Sequence, residues 1–106
     1  MTFRVEFTPA AEEDLRRLYA FLIDRAKYVE DLEIAERALN AIDAAINTHL
    51  PQSPMIYRKA GDGKNGLRRE LPIPFGNRGY IALYEIIPPN LILVLAVRHQ
   101  VEQDYH

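Results

Sequence analysis

The chain has 106 residues, of which 48% are hydrophobic and 26% charged, so it reads as one globular domain over 1–106, neither disordered nor of low complexity. It contains no cysteine, which excludes a disulfide framework, a zinc ribbon and thiol catalysis and fits a reducing cytoplasm. The net charge of −2 hides an asymmetry: residues 1–50 balance at −4 and residues 51–106 at +2, with five cations between Arg58 and Arg69 against Asp62 alone.

Thr2–Phe7 alternates apolar Phe3, Val5 and Phe7 with polar neighbours and predicts a strand. Thr8-Pro9 then opens a helix. Thr8 can cap it, Pro9 suits the first turn, and Glu12, Glu13 and Asp14 favour its positive end. This helix is expected to reach Lys27, with Ala11, Leu15, Leu18, Tyr19, Leu22 and Ala26 as its apolar stripe. Phe21 and Ile23 fall at opposite margins of the stripe. A second helix is expected from Asp31, as cap, to Leu50, where Pro51 stops it. Its stripe is Ala35, Ala38, Leu39, Ile42, Ala45, Ile46 and Leu50.

Residues 51–66 hold two prolines and three glycines and read as a long loop. A meander follows: Leu67–Ile73, Gly79–Ile87 and Leu91–Val97. Pro72 and Pro74 mark the first of these strands as an edge or a strand end. Parity puts Arg69 with Leu67 and Leu71, so it must pair or snorkel. The unbroken apolar run of Leu91–Val97 predicts a central strand covered on both faces. The expected fold is α+β, in the order β-α-α-β-β-β, with a helical hairpin packed on a mostly antiparallel sheet.

The N-terminus is too short and charged for a signal peptide, and no apolar run is long enough to span a membrane; a cytoplasmic protein is expected. GDGKNG lacks the spacing of a phosphate loop, Ser53 in PQSP has no nucleophile elbow, and neither the acids nor the three histidines have metal-ligand spacing. No cofactor or metal is therefore expected. What remains is a C-terminal group, Arg98, His99, Gln100, Tyr105 and His106, near Arg68 and Arg69. Arginine can neutralise phosphate, histidine can move protons near neutral pH, and tyrosine can stack on a base. Such a set could cleave RNA without metal; it could equally be the polar end of a strand.

The segments VEFTPAAEEDLRRLYAFL, LRRELPIPFG, GYIALYEI and LAVRHQVEQDYH, taken in order, resemble the ParE/RelE superfamily of type II toxins across nearly the whole chain. The resemblance implies a toxin neutralised by a cognate antitoxin. One branch of the superfamily poisons DNA gyrase and the other cuts mRNA in the ribosome. The ribonuclease branch is basic and carries an arginine where this chain has Ile81; His99 stands where a catalytic arginine would be, and Tyr105 where a tyrosine would be. These departures favour the gyrase branch, with Arg68, Arg69, Arg98, His99 and Gln100 as target contacts. Under the ribonuclease alternative, Arg98 or Arg68 would clamp phosphate, with His99 as base and Tyr105 as donor or stacking group. A non-toxic interaction domain is the third reading. In each, an antitoxin segment along the helical hairpin is expected, with Phe21, Ile23 and Ile34 as its footprint.

Overall fold

In the computed structural model, residues 2–60 and 66–100 are described. The elements are β1 (Arg4–Phe7), α1 (Pro9–Asp24), α2 (Val29–His49), β2 (Arg58–Lys59), β3 (Arg68–Phe75), β4 (Arg78–Ile87) and β5 (Leu91–His99). The five strands form one sheet in the order β1-β5-β4-β3-β2. Only β1 and β5 run parallel. A parallel pair needs a long crossover, and the helical hairpin supplies it. The expected α+β layer pair is what forms.

Thr8 caps α1: its Oγ1 accepts from the Ala11 N–H at 3.0 Å, and Pro9 occupies the first turn. The helix ends at Asp24, three residues short of the predicted Lys27, because residues 25–28 are needed to turn the chain into α2. The second helix starts at Val29, two residues before the expected cap. Asp31 still closes that end, from inside the first turn. Its carboxylate accepts from the Lys27 N–H at 2.9 Å and the Tyr28 N–H at 3.2 Å.

The helices cover one face of the sheet. Ala11, Leu18, Ala38, Ile42, Ile46 and Leu50 pack against inward residues of β3, β4 and β5, among them Leu71, Tyr84 and Val94. Tyr19, assigned above to the stripe, is 37% exposed. The other sheet face carries no described helix. The expectation that β5 is covered on both sides is corrected accordingly. The strand is central, but burial alternates along it: Ile92, Val94 and Val97 are buried while Leu91, Leu93 and Ala96 are partly open.

The predicted loop contains a strand. Arg58 and Lys59 pair with Glu70 and Arg69. This two-residue cover leaves Pro72 and Pro74 of β3 on an open edge, where their missing N–H groups cost no ladder bonds. A two-residue turn, Gly76-Asn77, joins β3 to β4. Gly79 follows at φ +139, and a Cβ there would lie 2.3 Å from the Ile73 carbonyl oxygen, so the position admits only glycine.

Candidate functional site

Two surfaces meet at the C-terminal end of β5, and a bulge decides what each receives. Leu83 pairs with Ala96, but Tyr84 pairs with Val94, so Leu95 has no opposite residue on β4. Before the bulge Ile92 and Val94 face the helices. After it, Val97 and His99 do. Cross-strand partners share a face. His99, opposite Tyr80, therefore faces the helices, and Arg98, opposite Ile81, faces outward.

On the helix side lies a cleft of about 480 Å³ lined by Arg17, Leu18, Phe21, Leu22, Arg25, Tyr80 and His99. Its floor is the Tyr80 ring, set edge-on to His99 at 5.4 Å and tilted against Phe75 at 6.3 Å. Burial pushes the Tyr80 hydroxyl above its ordinary range, so the phenol stays neutral. The Arg25 guanidinium sits 4.5 Å over the Phe21 ring, a cation–π contact on the rim. Phe21 is 52% exposed. The cleft is thus apolar, with Arg25 and the Asp14-paired Arg17 on its rim and no carboxylate among its described lining residues.

On the outer face, Arg68 donates to Glu85 Oε1 from Nε at 3.1 Å and Nη2 at 2.8 Å. Arg58 donates to Glu70 at 2.8 Å. No carboxylate among the described residues pairs with Arg98 in this way. Beside it Ile81 is 7% exposed. The outer face therefore presents the partly open Leu83, Leu93 and Ala96 as an apolar band beside the buried Ile81, flanked by two arginine–glutamate pairs and by Arg98, which has no such match among the described residues.

The five residues predicted as target contacts do not form one surface. Arg68 and Arg98 share the outer face, and His99 lies on the opposite one. Gln100 is half-buried just past β5. Arg69 is taken up within the molecule: it donates to the Gly66 carbonyl at 2.8 Å and to the Met55 and Tyr57 carbonyls at 2.7 Å each. The Tyr84 hydroxyl, buried and held well above its ordinary pKa by desolvation, donates to the Pro54 carbonyl. Together these two side chains tie the 54–57 segment to the sheet. Tyr105 and His106, and most of the glycine-rich GDGKNG segment, lie outside the described residues. The three predicted antitoxin contacts are also apart. Phe21 lines the cleft, Ile23 lines a separate groove at the hairpin tip with Tyr28, Val29 and Leu32, and Ile34 is 39% exposed on α2.

The residue that sequence reasoning missed is Asp14. It is 7% exposed. Its Oδ2 accepts from the Val97 N–H at 2.9 Å, and its Oδ1 from Arg17 Nη1 at 3.0 Å. Its spacing held the clue: three residues after Ala11 and four before Leu18, it falls on the apolar stripe.

The family model for the ParE toxin of type II toxin-antitoxin system, parDE, matches residues 5–104. The chain therefore belongs to the ParE toxin family, within the ParE/RelE superfamily of type II toxins. Among similar proteins, Toxin RelE3 of Caulobacter vibrioides is 29% identical over 99 residues, covering 93% of this chain and 96% of that one. Toxin RelE1 of the same organism is 30% identical over 103 residues, covering 97% and 99%. A solved structure described as the chromosomal ParDE TA system from P. aeruginosa superposes with a TM-score of 0.70 over 92% of this chain and 96% of that one. At 16% identity it speaks for the fold.

Proposed function

We propose that this toxin acts in the cytoplasm by inhibiting DNA gyrase and is held inactive by a cognate antitoxin. The observation that carries the choice of target is the separation of Arg98 and His99. General acid–base cleavage of RNA needs a proton-moving group and a phosphate clamp within reach of one scissile bond. Here the two candidates stand on opposite faces of a sheet, the arginines that share the cleft with His99 are engaged by Asp14 and the Phe21 ring, and the outer position beside Arg98 holds Ile81, which cannot bind phosphate. An apolar band beside one arginine suits a protein surface better than a polyanion, as does a net charge of −2.

The antitoxin reading rests on the other face. Phe21 and the cleft behind it offer an apolar seat with the Arg25 guanidinium at its rim, which fits a helix or extended segment carrying apolar residues and an acidic one. Target and antitoxin then engage different sides of the end of β5.

The ribosome-dependent ribonuclease remains the second reading, favoured by the names of the two Caulobacter relatives. A non-toxic interaction domain is the third. Purified protein added to a gyrase supercoiling and DNA-cleavage assay, beside a cell-free translation assay, separates them. Inhibited supercoiling with translation intact is expected. The reverse pattern would establish the ribonuclease, and inactivity in both together with unaffected growth on induction would establish the third.

A further inference from the structure

β1 stops pairing with β5 at Phe7 and Val94, and the Thr8 N–H makes the last rung to the Val94 carbonyl at 3.0 Å. The chain then turns into α1, so β5 continues from Leu95 with a strand on one side only. Backbone groups on the vacated side need partners. Two side chains of α1 and its cap provide them. The Thr8 hydroxyl reaches the Leu95 carbonyl at a long 3.4 Å, and Asp14 takes the Val97 N–H at 2.9 Å. One bond thus falls on the bulge residue itself and the other two residues beyond it.

A carboxylate on the buried stripe of a helix is costly, and an apolar residue would suit that stripe better. What offsets that cost is the backbone group it holds. A bulge adds one residue and inverts the facing of everything beyond it. With Leu95 accommodated, Val97 and His99 turn toward the helices and Arg98 turns outward. Without it, Ala96 and Arg98 would turn inward, and His99 would leave Tyr80.

We propose that Asp14 is a positioning residue that sets the phase of β5: by holding the Val97 N–H it fixes the bulge at Leu95 and so sends His99 to the cleft and Arg98 to the outer face. The assignment rests on the functional reading above only in that these two residues serve binding. The phase itself is a property of the fold. Arg17, paired to the other carboxylate oxygen at 3.0 Å, aims the Asp14 side chain.

Asp14→Ala and Asp14→Asn, compared with the parent chain by native-state hydrogen exchange and by histidine NMR, test the assignment. Asp14→Ala is expected to speed exchange of the Val97, Arg98 and His99 amides at least tenfold, with the amides of Ala82 and Tyr84 little changed. It should also move the His99 imidazole resonances, which sit at the edge of the Tyr80 ring. Asp14→Asn keeps an acceptor oxygen and should stay within a few-fold of the parent, with the residual change confined to the same three amides. If Asp14→Ala does not fold, the local or uniform pattern in Asp14→Asn decides. Uniform acceleration across the sheet, or unmoved His99 signals, would overturn the proposal. Failure of the parent to inhibit gyrase would sink the target assignment alone and leave the exchange and NMR results to judge Asp14.

Discussion

At the scale of single residues, two glycines three positions apart make opposite demands. Gly76 has φ +61 and open space within 4 Å of where a Cβ would stand, whereas at Gly79, with φ +139, a Cβ would be driven into the Ile73 backbone. Gly76→Ala is expected to cost about 1 kcal/mol, the ordinary penalty of a left-handed alanine. Gly79→Ala adds a backbone clash and should cost more than about 2 kcal/mol or prevent folding. Urea denaturation midpoints of the two variants check the order. Tyr84 yields a second expectation. Its folded pKa is raised above the ordinary 10.0, mainly by burial, with Arg69 acting in the opposite sense. The folded state therefore holds the proton more tightly. Its contribution is fully present below pH 10 and is lost as the pH rises beyond it, at up to about 1.4 kcal/mol per pH unit for one such group. Stability measured from pH 9 to 11 should fall, and Tyr84→Phe should flatten the slope while costing about 1 kcal/mol at neutral pH for the lost bond to Pro54.

At the scale of elements, legibility followed periodicity and punctuation. The stripe of α2 and the Pro51 stop located that helix, and the apolar run of Leu91–Val97 located a central strand. β2 carried no such signal, because two exposed cations have no pattern; its place is set from a distance by Arg69 and Tyr84 holding the preceding segment. The bulge was equally silent. A run reading LILVLAV is apolar in either phase, so composition cannot say which residue is the extra one, and the facing of Arg98 and His99 depends on it. The open edge of β3 makes a prediction of its own. Pro72 and Pro74 remove the donors from the stretch that β2 leaves uncovered, which blunts strand-to-strand association. Replacing both with threonine should restore the donors and raise self-association, seen as a concentration-dependent rise in sedimentation coefficient. An unchanged monomer signal would show that the prolines have no such role.

For the whole molecule, the electrostatic asymmetry of the sequence acquires geometry. The acidic half builds β1 and the helical hairpin. The basic half builds the loop and the remaining strands, and on the outer face Arg58 and Arg68 already have glutamate partners. Arg98 is the exception among the described residues, which makes it the single most informative charge. Arg98→Glu is expected to weaken inhibition of the target at least tenfold and leave antitoxin binding within about twofold. Phe21→Glu should do the converse, weakening the antitoxin complex by about 10- to 100-fold, or roughly 1.4 to 2.8 kcal/mol, while toxicity persists. Calorimetric titration with the antitoxin, run beside the supercoiling assay, reads both. If either variant impaired both activities equally, the two-faced arrangement would be wrong.

The sheet order has a consequence in time. β5 lies between β1 and β4, yet it is the last of the five strands to be synthesised. Until residues 91–99 have left the ribosome, β1 has no partner, and the hairpin of β3 and β4 has an exposed inner edge. Most of the sheet's long-range pairing must wait for that strand, so folding is gated by completion of β5 rather than growing along the chain. A nascent toxin is in this sense inert while it is being made, and its antitoxin meets either an unfinished sheet or a finished one.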